Sequence, residues 1–162
     1  MIKCSFSEEM AVRKPKPIIT LIGVRQAKKG LKFIHEPSSE KCRECQLYRV
    51  CIENLERGRV YEIVGLRNKK FPCLLHDEGV RVVEVVESDI ASTVPQKSAL
   101  EGATITFHAQ NCEKQFCKFK SLCEPVGLFD GDKCRIVKVE NKIECPLGYD
   151  LVKVLLRRII DA

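Results

Sequence analysis

The most constraining feature of this sequence is a set of cysteines that recurs after 72 residues. Eight of the 10 cysteines in the 162-residue chain form two quartets. The quartets are Cys42, Cys45, Cys51 and Cys73, then Cys112, Cys117, Cys123 and Cys145. An offset of 72 carries the last three cysteines of the first quartet onto the last three of the second, and only the leading cysteine departs, by two residues. This self-similarity predicts a duplicated module.

Strand-like segments follow nearly the same period. An offset of 72 carries Val80–Val83 onto Val152–Leu155, and an offset of 73 carries Gly58–Val64 onto Gly131–Val137. Before each quartet, Leu31–His35 resembles Ile105–His108, which matches His35 with His108. Alternating β-branched residues in these segments predict half-buried strands. Each module is therefore predicted to run strand, cysteine segment, strand, fourth cysteine and strand, with short helical turns over residues 46–54 and 118–122.

These patterns predict a mainly β fold with short helices, of the α+β class. The predicted architecture is two tandem, sequence-related small β-modules, each stapled by a four-cysteine metal site. A half-chain of about 70 residues buries little apolar surface, so each module needs such a staple. The predicted boundaries are a flexible N-terminal extension over 1–17, modules over 18–89 and 101–162, and a linker over 90–100 made of a loop and a short helix.

The cysteines are expected to bind metal rather than to form disulfides. The N-terminus has no apolar signal core, and no run of about 18 apolar residues is present, so we expect a cytoplasmic protein without a membrane span. Cysteine-rich cytosolic chains usually bind metal, and the disulfides found in some hyperthermophiles are the lesser alternative. Cys134 lies in a predicted strand and is expected to be a small buried apolar residue, whereas Cys4 is expected to be free.

The grouping of the cysteines favours iron–sulfur clusters over zinc. Structural zinc sites usually combine two short pairs of cysteines. Here each quartet has three clustered cysteines and one remote cysteine, with spacings C-x2-C-x5-C-x21-C and C-x4-C-x5-C-x21-C. Local trios with a distant fourth cysteine are frequent around four-iron clusters. We therefore predict two iron–sulfur clusters, preferably [4Fe-4S], with two zinc ions as the alternative.

The charge balance gives weak support to nucleic-acid binding. The formal net charge is +6, which suggests an acidic partner. Metal-bound cysteines are thiolates, and eight thiolates with two divalent centres bring the charge to about +2. Basic segments that could contact phosphates are Arg13–Pro17, Lys28-Lys29 and Arg67–Phe71. Aromatic residues make up only 6% of the chain and Trp is absent, so surfaces for base stacking are scarce.

Several short segments resemble uncharacterised protein family zero-one-seven-nine, a set of small archaeal proteins. The resemblance covers about residues 18–157, and its most specific part is the first cysteine module. It implies an archaeal cytosolic protein and two iron–sulfur redox centres, but it supplies no reaction or substrate. The segments that carry it are Thr20–Gly23, Ala27–Gly30, Phe33-Ile34, the trio Cys42, Cys45 and Cys51, Asn54–Glu56, Gly58–Tyr61, Pro72-Cys73, Leu75-His76, Gly79–Val85 and Glu101–Thr104.

Three functions are compatible with these patterns. The first is a two-cluster iron–sulfur protein that carries electrons to or from a redox partner protein. The second is a zinc-stapled module that binds RNA or associates with the ribosome. The third is an adaptor in which the metal only replaces a missing hydrophobic core. No catalytic constellation stands out and no small-molecule substrate is identified, so any activity is expected to be that of an oxidoreductase accessory.

Overall fold

A computed structural model describes residues 15–36 and 38–160. Two four-stranded antiparallel sheets make up most of it, with a few short helical segments, so the mainly β prediction is confirmed. The predicted extension over 1–17 lies outside the described residues up to position 14. No helix in the described part is long and apolar enough to cross a membrane.

The first sheet contains four strands in the order β1-β4-β3-β2. The cysteine segment between β2 and β3 carries a helix α1, Glu40–Arg43, and a π-helical turn, Arg49–Glu53. A turn was predicted over residues 46–54, and the observed one falls inside that range. The strands are β1 Ile18–Gly23, β2 Lys32–Ile34, β3 Val60–Phe71 and β4 Val80–Glu87.

The second sheet repeats the first strand for strand, in the order β5-β8-β7-β6. A short helix α2, Lys120–Cys123, overlaps the helical turn predicted over 118–122. The central pair of each sheet also has a register shift at matching places, after Ile63 in β3 and after Ile136 in β7. Such bulges bend the strand and increase its twist, so both sheets curl. The strands are β5 Ile90–Pro95, β6 Thr104–Thr106, β7 Lys133–Glu144 and β8 Asp150–Arg158.

The segment predicted as a loop and a short helix, residues 90–100, is mostly a strand. β5 pairs antiparallel with β8 and occupies the edge position that β1 has in the first sheet. Only a 3-10 turn, Gln96–Ser98, corresponds to the expected helix. Pro95 is tolerated because it ends an edge strand, where no ladder hydrogen bond is lost. The second sheet therefore begins at Ile90, inside the predicted linker.

Strand pairing corrects the predicted offset of 72 residues between β4 and β8. Ile22 pairs with Arg81 and its counterpart Val94 pairs with Val152, so β4 and β8 are offset by 71 residues rather than 72. The reason is that the turn after the fourth cysteine is one residue shorter in the second module.

The predicted match between His35 and His108 is also wrong. The His35 N–H donates to Arg59 O at 2.9 Å, and the Phe107 N–H donates to Asp132 O at 2.7 Å. Because Arg59 and Asp132 are equivalent, His35 corresponds to Phe107. Both of these side chains are buried, whereas His108 is exposed.

Each module has its own apolar core. The second core lies on one face of its sheet and includes Phe107, Ile136, Val154 and Leu156, together with Cys134. In the first module the main core contains Tyr61, Ile63, Val83 and Val85. A smaller cluster of Leu21, Val80 and Val82 lies at the end of the sheet where β3 finishes, and Cys51 and Cys73 pack against it.

The two modules meet at the start of β3 and of β7 through ion pairs between equivalent residues. Arg59, whose side chain is only 4% exposed, donates to Asp132 Oδ1 at 3.0 Å. Arg158 donates to Glu87 at 2.7 and 2.8 Å. Arg59 is the counterpart of Asp132. Glu87 is the counterpart of Arg158, because Glu87 pairs with Tyr61 and Arg158 pairs with Cys134, the residue equivalent to Tyr61. Contacts between equivalent residues are the mark of a two-fold relation.

The joint, where Arg59 and Glu87 of the first module meet Asp132 and Arg158 of the second, is remote from the cysteine ends of the sheets. A 12-residue strand such as β3 rises about 3.3 Å per residue, so it spans roughly 36 Å before bending. The hydrogen bonds between the modules, within the part of the chain that the structure describes, all involve residues near the joint. Cys73 and Cys145 follow the far ends of β3 and β7, which point away from the joint.

Candidate metal centres

The first cysteine quartet is assembled at the end of the first sheet. Cys42 is in α1, Cys45 follows that helix, and Cys51 is in the π-helical turn. Cys73 comes two residues after β3 ends. Cys42, Cys45 and Cys73 line one open groove, while Cys51 packs beside Cys73 against Leu21. Residues that are 31 positions apart along the chain are thus brought to one place.

Electrostatics also indicates that the first quartet converges. Burial, together with the nearby thiols of Cys42, Cys73 and Cys45, raises the pKa of the Cys51 thiol to about 11. The charge of one thiol shifts the pKa of another only when the two groups lie close together. The raised pKa means that the Cys51 thiol resists ionisation, and a bound metal would remove that resistance because it deprotonates its thiol ligands.

The second quartet surrounds a single cavity of about 70 Å³. All four sulfur-bearing residues, Cys112, Cys117, Cys123 and Cys145, line this cavity. Its other walls are mainly apolar and include Phe119, Ile143, Leu147 and Leu151. Burial raises the pKa of Cys123; a hydrogen bond from Thr93 opposes this rise, and the other three thiols of the quartet add to it.

Neither quartet forms a ready-made site for a single metal ion in the part of the chain that the structure describes. Within residues 15–36 and 38–160, no group of three or more His, Cys, Asp or Glu side chains is close enough to hold a single metal ion. Zinc at about 2.3 Å from each of four sulfurs would place neighbouring sulfurs about 3.8 Å apart. A cavity of roughly 10–15 Å³ is enough for one water molecule, so the second cavity is several times larger than one small ligand requires.

Backbone N–H groups already point at three of the sulfurs. The N–H groups of Leu47, Leu75 and Phe119 donate to the Sγ atoms of Cys45, Cys73 and Cys117, each at 3.4 Å. Each donor lies two residues after its cysteine. Such bonds stabilise a thiolate, which is the form that binds metal. The donor set, four thiols with oriented N–H groups, therefore fits a thiophilic metal or an iron–sulfur cluster.

Hydroxyl groups on the first strand of each sheet fix the cysteine segments. Thr20 Oγ1 donates to Cys51 O at 3.3 Å, and Ser92 Oγ donates to Leu122 O at 3.0 Å. Both side chains are fully buried. Sequence reasoning did not single out these residues, although the offset of 72 carries Thr20 onto Ser92 and could have identified them.

A lysine distinguishes the second site from the first. Lys120 Nζ lies 2.8 Å from Cys112 O and 2.8 Å from Glu124 Oε1, so it ties α2 to the loop that carries the leading cysteine. The residue 72 positions earlier is Tyr48. The leading cysteine of the first quartet instead lies within α1, which begins after the N-cap Ser39.

Two cysteines outside the quartets and one histidine beside Cys73 complete the set of residues that could bind metal. Cys134 is fully buried in β7, as predicted. His76 lies in the turn after Cys73, and its ring occupies the space beside Gly23, where an added Cβ would be 2.6 Å from Nδ1. Cys4 is outside the described residues.

Comparisons with known proteins agree with the sequence resemblance. The family model described as Uncharacterised protein family (UPF0179) matches residues 18–156. The chain is 41% identical to the UPF0179 protein of Methanocaldococcus jannaschii over 142 residues, 87% of this chain and 94% of that relative. It is 42% identical to the UPF0179 protein of Methanothermobacter thermautotrophicus over 143 residues, 86% of this chain and 97% of that relative. The corresponding figures for the Pyrococcus furiosus relative are 42% over 139 residues, 85% and 95%. No solved structure matches. This chain therefore belongs to the uncharacterised protein family UPF0179, whose relatives here are archaeal.

Proposed function

We propose that this chain is a cytoplasmic two-cluster iron–sulfur protein that carries electrons for a redox partner protein. Cys42, Cys45, Cys51 and Cys73 would hold one cluster, and Cys112, Cys117, Cys123 and Cys145 the other. The observation that carries the proposal is the convergence of all four second-quartet cysteines on one cavity. A bound iron–sulfur cluster supplies one-electron redox chemistry at its iron atoms.

The size of the space favours a cluster over a single ion. Four sulfurs that line a cavity of about 70 Å³ leave more room than one zinc ion requires. The three clustered cysteines and the remote fourth cysteine of each quartet are also typical of four-iron sites. [4Fe-4S] is therefore our preferred assignment for both sites.

The protein's own groups would orient and shield the clusters. The N–H groups of Leu47, Leu75 and Phe119 donate toward sulfur, which stabilises negative charge there. Apolar side chains beside the quartets, among them Leu21 in the first module and Ile143 in the second, limit the access of water. Both effects are the means by which proteins set cluster potentials.

The basic segments give less support to the RNA-binding alternative. Arg67 is paired with Glu84 at 2.8 Å, and Arg81 donates to the Arg67 carbonyl oxygen at 2.6 Å. These guanidinium groups are therefore partly occupied by contacts within the sheet, and the charge of Arg67 is partly neutralised. The zinc-stapled RNA-binding module is the second candidate. The identity of the bound metal decides between it and the iron–sulfur electron carrier.

The test is anaerobic purification followed by metal and sulfide analysis. We expect brown protein with broad visible absorption and about eight iron and eight sulfide per chain, the content of two four-iron clusters. Cys45→Ser and Cys117→Ser should each remove about half of the iron. Colourless protein with two zinc ions per chain would contradict the proposal and favour the zinc module.

A further inference from the structure

One position on the first strand of each sheet differs between the two modules. Leu21 in β1 pairs with Val82, and its counterpart Thr93 in β5 pairs with Lys153. Both side chains are buried, at 4% and 3% exposure. Each lies beside the third cysteine of its quartet, which is Cys51 in the first module and Cys123 in the second. The same place in the fold therefore presents an alkyl group to one sulfur and a hydroxyl group to the other.

The Cys123 sulfur accepts a hydrogen bond, whereas the Cys51 thiol donates one. Thr93 Oγ1 donates to Cys123 Sγ at 3.4 Å. In the first module the Cys51 thiol instead donates to the backbone carbonyl oxygen of Leu21 at 3.7 Å. That carbonyl oxygen cannot donate to a thiolate, whereas the Thr93 hydroxyl can. A buried hydroxyl is almost always hydrogen-bonded, so the sulfur is the natural acceptor for Thr93.

Other differences between the sites are less decisive. Lys120 lies beside the second quartet and has no charged counterpart, since Tyr48 takes its position. However, Glu124 pairs with Lys120 at 2.8 Å and offsets its charge. N–H donors reach Cys45 and Cys117 equally at 3.4 Å, and in the first module the Leu75 N–H also reaches Cys73 Sγ at 3.4 Å. The Leu75 bond is exposed to water, whereas the Thr93 bond is partly buried, so the Thr93 bond is the stronger of the two. The hydroxyl of Thr93 is therefore the strongest donor to sulfur that distinguishes one quartet from the other.

We propose that Thr93 gives the cluster of the second module a higher reduction potential than the cluster of the first. This inference rests on the proposed function. Reduction adds one electron and moves no proton, and the added negative charge is shared with the ligand sulfurs. A hydroxyl that donates to one of these sulfurs stabilises the reduced state more than the oxidised state. An electron supplied by the partner protein would then reside mainly in the second module.

The experiment is a spectroscopic redox titration of the anaerobic full-length holoprotein and its variants. Wild type should show two potentials. Thr93→Val keeps the shape of the side chain, removes the donor and should lower the higher potential, changing that reduction equilibrium by about five- to tenfold. Thr93→Ser should retain the wild-type value. Ser88→Ala is the matched control because its buried hydroxyl contacts the Asp89 carbonyl oxygen near the joint and lies away from both quartets.

The reciprocal variant Leu21→Thr tests the same idea without changing the second module. It should raise the lower potential because it places a hydroxyl beside Cys51. Equal potentials in wild type, no shift with Thr93→Val, or an equal shift with Ser88→Ala would overturn the inference. The absence of iron and sulfide from wild type would instead contradict the proposed function, so the two failures are distinguishable.

Discussion

The two modules share a strand order, a bulge position and a cysteine pattern, yet they differ at positions beside the candidate metal sites, in the core and at the joint. Thr93 replaces Leu21 beside the third cysteine, and Phe107 replaces His35 in the core. At the joint, Asp132 faces Arg59. The shared features are those that bring four cysteines to one end of each sheet. The positions that differ are those that can make the two sites, and the two faces of the joint, unequal.

The largest effect is expected from removing one metal ligand in each module. Cys45→Ser and Cys117→Ser should each lose the metal of their own module and unfold it, while the other module keeps its metal. Structural metal sites can contribute about 10–16 kcal/mol to folding, more than such a small core supplies. Metal analysis and amide hydrogen exchange, compared module by module, measure this directly.

Cys134→Ala is the matched control for the ligand variants. Its sulfur is buried in the second core and belongs to neither quartet, so metal content should stay complete. If Cys45→Ser and Cys117→Ser melted like wild type with full metal content, the ligand assignment would be wrong.

The next largest effect is expected from reversing one charge at the joint. Arg59→Asp or Asp132→Arg leaves two like charges facing each other with little solvent, because these side chains are only 4% and 12% exposed. Breaking a buried pair in this way costs about 3–5 kcal/mol. The double exchange, Arg59→Asp with Asp132→Arg, should recover most of the loss because the two positions are equivalent.

Denaturant unfolding of the two single variants and the double variant measures the coupling. Arg67→Ala, which removes a half-exposed partner of Glu84, should cost less than about 1 kcal/mol. A double exchange as unstable as the sum of the single changes would show that the joint does not have the proposed equivalence.

A smaller difference is expected in the turns that follow the fourth cysteines. Gly79 and Gly148 both have positive φ, +81° and +79°, so alanine costs about 1 kcal/mol at either position. A Cβ at Gly79 would also collide with the Phe71 carbonyl oxygen, whereas nothing lies within 4 Å of one at Gly148. Gly79→Ala should therefore lose roughly 1–3 kcal/mol more than Gly148→Ala in thermal or denaturant unfolding. Equal losses would contradict the close approach of the Phe71 carbonyl oxygen to Gly79.

The smallest effect concerns pH. Burial lowers the pKa of His35, and its hydrogen bond to the Ile52 carbonyl oxygen opposes this only in part. Because the unfolded chain binds this proton more readily, the stability from neutral His35 is complete above about pH 6.5 and is lost as pH falls toward the lowered pKa. His35→Phe, which copies Phe107, should unfold with a smaller loss of stability between pH 7 and pH 5.

Parallel unfolding curves of wild type and His35→Phe across this range isolate the effect, since protonation of the cysteine ligands is common to both proteins. An unchanged pH profile in His35→Phe would show that this residue does not titrate with folding.

The sequence pattern predicted the parts of the fold that repeat as apolar or cysteine residues. β3, β4 and β7 were expected because β-branched residues alternate in them, and the quartets follow from spacing alone. β5 was missed because Ser92 and Thr93 give it the appearance of a polar linker. Their hydroxyl groups are satisfied by Leu122 and Cys123, some 30 residues away, and no local pattern reveals such partners.

The joint could not be predicted from sequence for a related physical reason. Arg59 and Asp132 each have the local character of a solvent-exposed charge in a turn, and burial of the pair depends on how two separate sheets pack. Likewise, the one-residue shift of β8 arises from a shorter turn after Cys145 and not from any change in the strand itself. Such features depend on three-dimensional packing rather than on residue type.

The opposite charges at the joint also constrain assembly and ancestry. If two first modules from different chains paired in the same geometry, Arg59 would face Arg59 and Glu87 would face Glu87; two second modules would oppose Asp132 to Asp132 and Arg158 to Arg158. Only a first module with a second module neutralises these charges. A single ancestral unit paired with itself must carry identical residues on both sides of its symmetry axis, so this arrangement of charges arose after the unit was duplicated and the two copies diverged.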